Sequence, residues 1–298
     1  MNPEERFRYY DKPHAWQYDI RLKNEKEDLA LAGFDSKPDL RVSDFEFSGF
    51  TKEHPDYGTL LPEIRAFIER HEWLGTLSNY PTHYFTARYN GILAGVVVFD
   101  MPNSFSKLLG EGTRKIERLI SRGASVSWAP KNLGSALIAA GMRWVVENSR
   151  FRVFVAYSDP EAKELGTLYQ AAGFYYLGQD SGATHKYKLP WNGKWVSDRT
   201  FRSRSSYKRY AKDLGIEWNP EWQDGDKIIW AAMPDTVEEA LRQASRDMYT
   251  LCEKREIPPK HKYAYILGEN KRETRELRKK LMDNNPDLPL PYPKERGV

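Results

Sequence analysis

Four side chains in the middle of the chain have types suited to group transfer: Arg122, Ser135, Asp159 and Tyr169. A phenol acts as a general acid when it lies within hydrogen-bond reach of a leaving atom, and a carboxylate can orient or deprotonate an amine. An arginine holds an anion through two parallel donors. Upstream of Ser135, Pro130-Lys131-Asn132 precedes an apolar run with helical spacing that begins at Leu133. Asn132 is a good N-cap, its side-chain oxygen expected to meet a free backbone N–H. The amides of Leu133, Gly134, Ser135 and Ala136 then stand at the positive end of the helix dipole, and Gly134 places no side chain in an anion's way. The result is a phosphate cradle with Lys131 at its rim. The plainer reading is an ordinary capped helix with a small residue for close packing.

The elements that position these groups run from Ile116 to Tyr176: strand, turn, helix, strand, turn, helix, strand. Ile116–Val126 alternates, with Ile116, Arg118, Ile120 and Arg122 pointing one way and Glu117, Leu119 and Ser121 the other. The competing role for Arg122 is a salt bridge to Glu117 or another acid. Leu133, Leu137, Ala140, Gly141 and Trp144 share a helix face. Phe151–Tyr157 is apolar apart from Arg152, as in a buried central strand. Asp159-Pro160-Glu161 is also a near-ideal helix start. One straight helix from Pro160 would hold Asp159 and Tyr169 about 15 Å apart, too far to serve one reacting atom. A turn over 161–166, with the helix starting near Leu165, puts both in one cleft.

Two of these turns carry a family resemblance. Lys131-x-x-Gly134-x-Ala136 resembles the pyrophosphate turn of GNAT acyltransferases, with lysine in first place. Leu168-Tyr169-x-x-x-Gly173-Phe174 resembles the segment of the same fold whose tyrosine protonates the departing thiolate. Ser121-Arg122, Pro130-Lys131-Asn132-x-x-Ser135-x-Leu137, Ala156-Tyr157-Ser158-Asp159 and Gly166-x-x-Tyr169-Gln170-Ala171 look more closely like the phage Mom-type DNA adenine-modification proteins. The likeness runs from about Ser121 to Leu189 and more weakly to Arg199. It implies a GNAT-like mixed α/β sheet with splayed central strands and flanking helices. It also implies transfer of a small acyl-type group, carbamoylmethyl or glycinamide-like, to the N6 amine of adenine in double-stranded phage DNA, protecting it from restriction. Carried over, Arg122, Ser135, Asp159 and Tyr169 are the active residues. Lys131, Asn132, Leu133, Gly134, Ser135 and Ala136 would hold the donor, acetyl-CoA or a related acyl compound.

Composition sets the outer bounds. The chain has 298 residues, 40% hydrophobic and 30% charged, which suits a folded protein. A single cysteine, Cys252, allows no internal disulfide and makes a reducing cytosol the expectation. No apolar run approaches the ~20 residues that span a bilayer. Six scattered histidines show no zinc spacing, so a metal is open but nothing in the sequence demands one. Walker, Rossmann and Gly-x-Ser-x-Gly signatures are missing, as is the Asn-Pro-Pro-Tyr of amine methyltransferases.

The chain divides, on this reading, into an N-terminal arm (1–40), a GNAT-like catalytic domain (41–195) and a basic, mainly helical C-terminal extension (196–298). Arg6-Phe7-Arg8-Tyr9-Tyr10 is either a basic–aromatic arm or a packed segment with solvated arginines. Leu60 to Leu74 is helical, Asn90-Gly91 joins two strands, and 178–189 forms a hairpin that closes the fold. Ser197–Lys212 is helical, capped by Ser197 or Asp198, and carries Arg199, Arg202, Arg204, Lys208 and Arg209 with aromatics between them. Such a face follows DNA phosphates or is simply solvated. A second basic helix at Asn270–Met282 is internally charge-paired. Trp218, Trp222 and Trp230 pack a small subdomain with Val237–Leu251, and the proline-rich tail lies extended. Two rival functions stand: a GNAT that acetylates a protein or small-molecule amine, and a non-catalytic nucleic-acid-binding protein on a GNAT scaffold.

Overall fold

The computed structural model of the chain describes residues 14–78, 80–102, 104–179, 182, 184–225 and 227–294. The basic–aromatic segment at 6–10 and residues 180, 181 and 183 of the expected 178–189 hairpin lie outside these. The chain forms two compact units, Met1–Ser181 with Lys260–Val298, and Gly182–Pro259. The expected boundary at 195/196 is therefore displaced at both ends: the chain leaves the first unit earlier and re-enters it at Lys260.

In the first unit, α1 (Trp16–Leu31) opens a segment read as an arm. Its buried positions include Asp19, Asn24 and Asp28, so no apolar stripe announces it. Asn24 and Asp28 are satisfied by polar partners instead: Arg70 donates to Asp28, Asn24 to the Arg70 carbonyl, and the Ser127 amide to Asp28. β1 (Glu46–Thr51) precedes α2 (Tyr57–His71), which buries Ile64, Phe67 and Ile68. β2 (Pro81–Tyr89) and β3 (Ile92–Asp100) pair across Asn90-Gly91, whose φ values of 47° and 79° are the left-handed pair such a turn needs. β3 is almost wholly buried, as its two-sided apolar sequence requires. β4 (Glu117–Ser125), α3 (Leu133–Asn148), β5 (Val153–Ser158), α4 (Thr167–Ala171) and the short β6 (Tyr175–Tyr176) follow. α3 packs Leu133, Leu137, Ile138, Met142 and Val145 onto the sheet, each burial worth about 1.5–3 kcal/mol.

β7 (His261–Ile266) completes a seven-stranded sheet in which it lies between β5 and β6, antiparallel to both. The sequence assigned this closing place to a 178–189 hairpin. The strand there, His185–Lys188, instead pairs with Glu253–Glu256 and Trp195–Val196 in the second unit. His185-Lys186-Tyr187-Lys188 has no apolar face to bury, whereas Tyr263, Ala264 and Ile266 of β7 are fully buried. α5 (Lys271–Asn284) begins at Asn270, which caps it by accepting from the Glu273 amide at 2.9 Å.

β4 and β5 run parallel and pair only from Glu117–Val153 to Ile120–Ala156. Beyond that pair they separate, and β4 is irregular against β3 between Val98 and Phe99 at the same level. This is the mixed, GNAT-like sheet with splayed central strands and flanking helices that the resemblance implies. The tail crosses it: Leu290 bridges Tyr176, and the Tyr292 hydroxyl donates to the Phe174 carbonyl at 2.6 Å.

The second unit packs the helices Arg204–Asp213 and Asp235–Thr250 around Tyr207, Tyr210, Trp222, Met233 and Leu241, with Trp218 and Trp230 against them. The basic segment differs from a single helix capped near Ser197. A 3-10 turn, Asp198–Arg202, comes first, and Ser203 caps the α-helix by accepting from the Ser206 amide at 3.2 Å.

Candidate active site

Tyr169 sits on α4, and its ring rests on Phe174 and Tyr263, with centroids 5.4 Å from each. Among the described residues its hydroxyl makes no hydrogen bond. Burial raises its pKa, and the charges of Glu164 and Glu72 and the phenol of Tyr263 push the same way, while Arg122 opposes them. One phenol thus feels a group from β4, one from the end of α2 and one from the turn after β5.

That turn is the bent geometry the sequence left open. A 3-10 turn spans Pro160–Ala162, Lys163 and Gly166 both take left-handed conformations (φ 59° and 66°), and α4 starts at Thr167. Gly166 has a second reason to be glycine, since a Cβ there would meet the Tyr263 ring at 2.4 Å. Tyr263 is in turn pinned by its hydroxyl, which donates to the Leu165 carbonyl at 2.5 Å.

Asp159 makes two side-chain contacts, one of them the helix cap weighed for it. Its Oδ1 accepts from the Glu161 amide at 3.0 Å, the helix-cap contact. Its Oδ2 lies 3.0 Å from the ammonium of Lys260, at the threshold of β7. The Asp159 amide donates to Glu164 Oε2 at 3.4 Å. Burial, with the charges of Glu72 and Asp159, lifts the Glu164 carboxyl to about 8, although that amide and Lys260 pull it down. A carboxyl in this range gives and takes protons near neutral pH. Neither Glu164 nor Lys260 was singled out in the sequence. Glu164 lacks any motif spacing, although its place beside Leu165-Gly166 was a signal. Lys260 precedes β7, a strand the sequence had not marked.

Arg122 makes no ion pair with Glu117, which accepts instead from the amide and hydroxyl of Ser106. Its guanidinium donates to the Thr76 carbonyl at 2.6 Å and the Ser121 carbonyl at 2.6 Å. Strict alternation fails here. The β4 irregularity pairs Val98 with Arg122 and Phe99 with Ile120, leaving Ser121 without a partner in β3. Ser121 and Arg122 consequently line one cavity of about 530 Å³, together with Asp100. Arg118 turns away and stacks on Phe151, 3.3 Å from the ring centre.

The mouth of α3 departs from the cradle in three respects. Asn132 has an αR backbone and makes no side-chain cap. Its carbonyl takes the Ala136 amide at 3.1 Å, and the Pro130 carbonyl takes that of Leu133 at 3.0 Å. Gly134 and Ser135 keep donors that no described group accepts. The missing side chain of Gly134 leaves room for Leu168 of α4, whose Cδ1 would stand 2.9 Å from a Cβ. Its absence therefore serves helix packing. The Ser135 hydroxyl donates to the Asn132 carbonyl at 3.1 Å and meets none of the other three candidates. Lys131 and Asn132 are exposed beside this mouth.

In the second unit, Arg199, Arg202, Lys208 and Arg209 are exposed. Arg202 pairs with Asp198, and the half-buried Arg204 donates to the Gly225 carbonyl. Lys208 lies 5.6 Å from the Trp218 ring and Arg209 5.0 Å from that of Trp191, which is 48% exposed. Tyr207 and Tyr210, interleaved with these cations in sequence, are buried and cannot stack on bases. Among the described residues no group of three or more His, Cys, Asp or Glu could hold a metal ion, and no helix is long and apolar enough to cross a membrane.

Among solved structures, the chain is similar to a GNAT family acetyltransferase from Elizabethkingia anophelis with acetyl-CoA bound, at 12% identity over 75% of this chain and 99% of that one, with a TM-score of 0.32. It is also similar to the catalytic domain of a Tetrahymena histone acetyltransferase in complex with coenzyme A (12%, 50% and 84%, TM-score 0.30). A third is the GNAT family acetyltransferase from Streptococcus pneumoniae (15%, 51% and 94%, TM-score 0.32). No curated protein matches. The Mom protein family matches residues 63–294, a span that holds β2 to β7, the Asp159–Tyr169 turn and the whole second unit, and the chain belongs to that family.

Proposed function

We propose that this protein is a DNA-modifying transferase that adds a small acyl-type group, carbamoylmethyl or glycinamide-like, to the N6 amine of adenine in phage DNA, shielding it from restriction in the host cytosol. The convergence of Tyr169, Arg122, Glu164 and Asp159 where β4 and β5 part is the observation that carries the reading. Membership of the Mom family supports it.

Acetyl-CoA or a related acyl compound is the proposed donor, supplying an activated acyl carbon and a leaving group. The unaccepted amides of Gly134 and Ser135, at the positive end of α3 and beside Lys131, fit its anionic part. Arg122 adds a guanidinium on the facing strand. Tyr169 then delivers a proton to the leaving atom. The amine's proton passes to the neighbouring Asp159 and Glu164 carboxyls, of which Asp159 is held by Lys260 and the Glu161 amide. Adenine must leave the helical stack to reach such a cleft, which costs a few kcal/mol. The exposed cations Arg199, Arg202, Lys208 and Arg209, with Arg204, contact phosphates and repay part of that cost through sequence-independent affinity.

Mass spectrometry of nucleosides from cells expressing the protein tests the reading. A modified deoxyadenosine that disappears with Tyr169→Phe is expected. An unmodified nucleoside profile, with the protein present and folded, favours an acetyltransferase of other amines and overturns the proposal.

A further inference from the structure

The cavity beside β4 has a feature the transfer steps do not use. Asp100, at the end of β3, is 4% exposed, and among the described residues its Oδ1 has no hydrogen-bond partner. A buried carboxylate oxygen without a donor is costly in a folded chain and calls for an explanation. Its carboxyl is raised by burial, against the Ser78 and Ser121 hydroxyls and the guanidiniums of Arg122 and Arg118, which pull it down. Asp100 thus lines a cavity of about 530 Å³, inside the range of sites that enclose a small ligand.

The rest of the lining is mixed in the way a flat heteroaromatic ring requires. Leu119 and Met101 offer apolar surface, and the Ser121 and Ser78 hydroxyls, 3.3 Å apart, offer donors and acceptors. Arg65, from α2, supplies a cation for a phosphate attached to such a ring. Arg122, one of the residues assigned to the transfer, lines this cavity as well.

We propose that this cavity receives the acceptor base, and that Asp100 determines its choice by accepting a hydrogen from the base's exocyclic amine. A base lacking that amine leaves the carboxylate oxygen buried and unpaired, the situation in which polar sites discriminate most strongly. The inference rests on the adenine reading above.

Calorimetric titration of the full-length protein with 2′-deoxyadenosine 5′-monophosphate, and with purine 2′-deoxyriboside 5′-monophosphate, which lacks the 6-amine, tests the contact. The wild type is expected to bind the first about tenfold tighter or better. Asp100→Ala should bring the two ligands to equal affinity. Asp100→Asn keeps an acceptor oxygen and the volume, so it retains part of the preference and serves if the alanine variant does not fold. Equal or unmeasurable affinities in the wild type, or a full preference in Asp100→Ala, overturn the assignment. The two failures are distinguishable: modified adenine in cellular DNA with equal nucleotide affinities removes only the cavity assignment, whereas unmodified DNA removes the adenine reading.

Discussion

Lys260 holds its ammonium 3.0 Å from Asp159 Oδ2, although the whole second unit intervenes between them in sequence. The pair joins the turn after β5 to the first residues leading into β7. It fixes the carboxylate whose amide in turn donates to Glu164. Lys260 is 38% exposed, so its loss should cost only about 1 kcal/mol. Lys260→Met is therefore expected to lower Tm by roughly 2–4 °C while depressing the modification rate much further. Calorimetry beside nucleoside analysis separates the two effects, and a rate that merely follows stability would make Lys260 structural.

Tyr169→Phe isolates the hydroxyl. That group bonds to nothing described, so its removal leaves packing on Phe174 and Tyr263 intact. Thermal stability should stay within about 0.5 kcal/mol of the wild type. Modification should fall by roughly a hundredfold or more, the usual worth of a positioned acid. DNA affinity should not change, and filter binding would show it. Asp159→Ala should likewise abolish modification while DNA binding persists. Equal loss of stability and binding in both variants would point to a structural role.

The raised Glu164 carboxyl, at about 8, gives a pH signature with a definite sign. Between its ordinary range and pH 8 the folded chain keeps a proton that the unfolded chain has lost. Stability should therefore decline as pH rises across that window. Activity should rise across the upper part of the same window as the group becomes able to accept a proton. Glu164→Gln should flatten both trends, which chemical denaturation and rate measurements from pH 5 to 9 would reveal. A wild-type rate that is level through pH 8 would exclude Glu164 from proton transfer.

Two glycines should answer differently to alanine. At Gly166 the backbone is left-handed and the buried Tyr263 ring blocks the Cβ, so Gly166→Ala should cost about 2–4 kcal/mol. At Gly134 the obstacle is the end of Leu168, 37% exposed and free to move. Gly134→Ala should cost less than about 1 kcal/mol, since alanine also favours the helix. Denaturant unfolding of both variants provides the comparison.

Lys208→Ala and Arg209→Ala test the phosphate contacts. Each should weaken duplex binding about equally across sequences and reduce the slope of log affinity against log salt by about one. Arg202→Ala should do less, because Asp198 already neutralises that cation. Slopes unchanged in all three would place the DNA elsewhere.

Much of this arrangement was legible from local signals. The hairpin at Asn90-Gly91 and the α3 face around Leu137 and Gly141 follow from constraints within a few residues, whereas the break before Tyr169 was one of two readings the sequence left open. The missed parts share a cause. α1 buries Asp19, and buries Asn24 and Asp28 against partners on α2 and the 126–129 turn, so its periodicity is invisible to a reading based on apolar residues. The Asn132 cap failed because its backbone is αR (φ −93°, ψ 0°) where a capping residue needs an extended one, a choice made by backbone path and not by residue type.

The sequence by itself determined the strand–turn–helix order from Ile116 to Tyr176 and the presence of Arg122, Asp159 and Tyr169 within it. These depend on propensity, period and turn chemistry, which act over one or two turns of chain. Only the tertiary structure decided that β7 would lie beside β5 and bring Lys260 to Asp159, and that a β4 irregularity would turn Ser121 and Arg122 into one cavity with Asp100. Strand pairing between distant segments is selected by which sequence can bury both its faces in the core. That selection is a competition across the whole chain, and no local stretch contains its outcome.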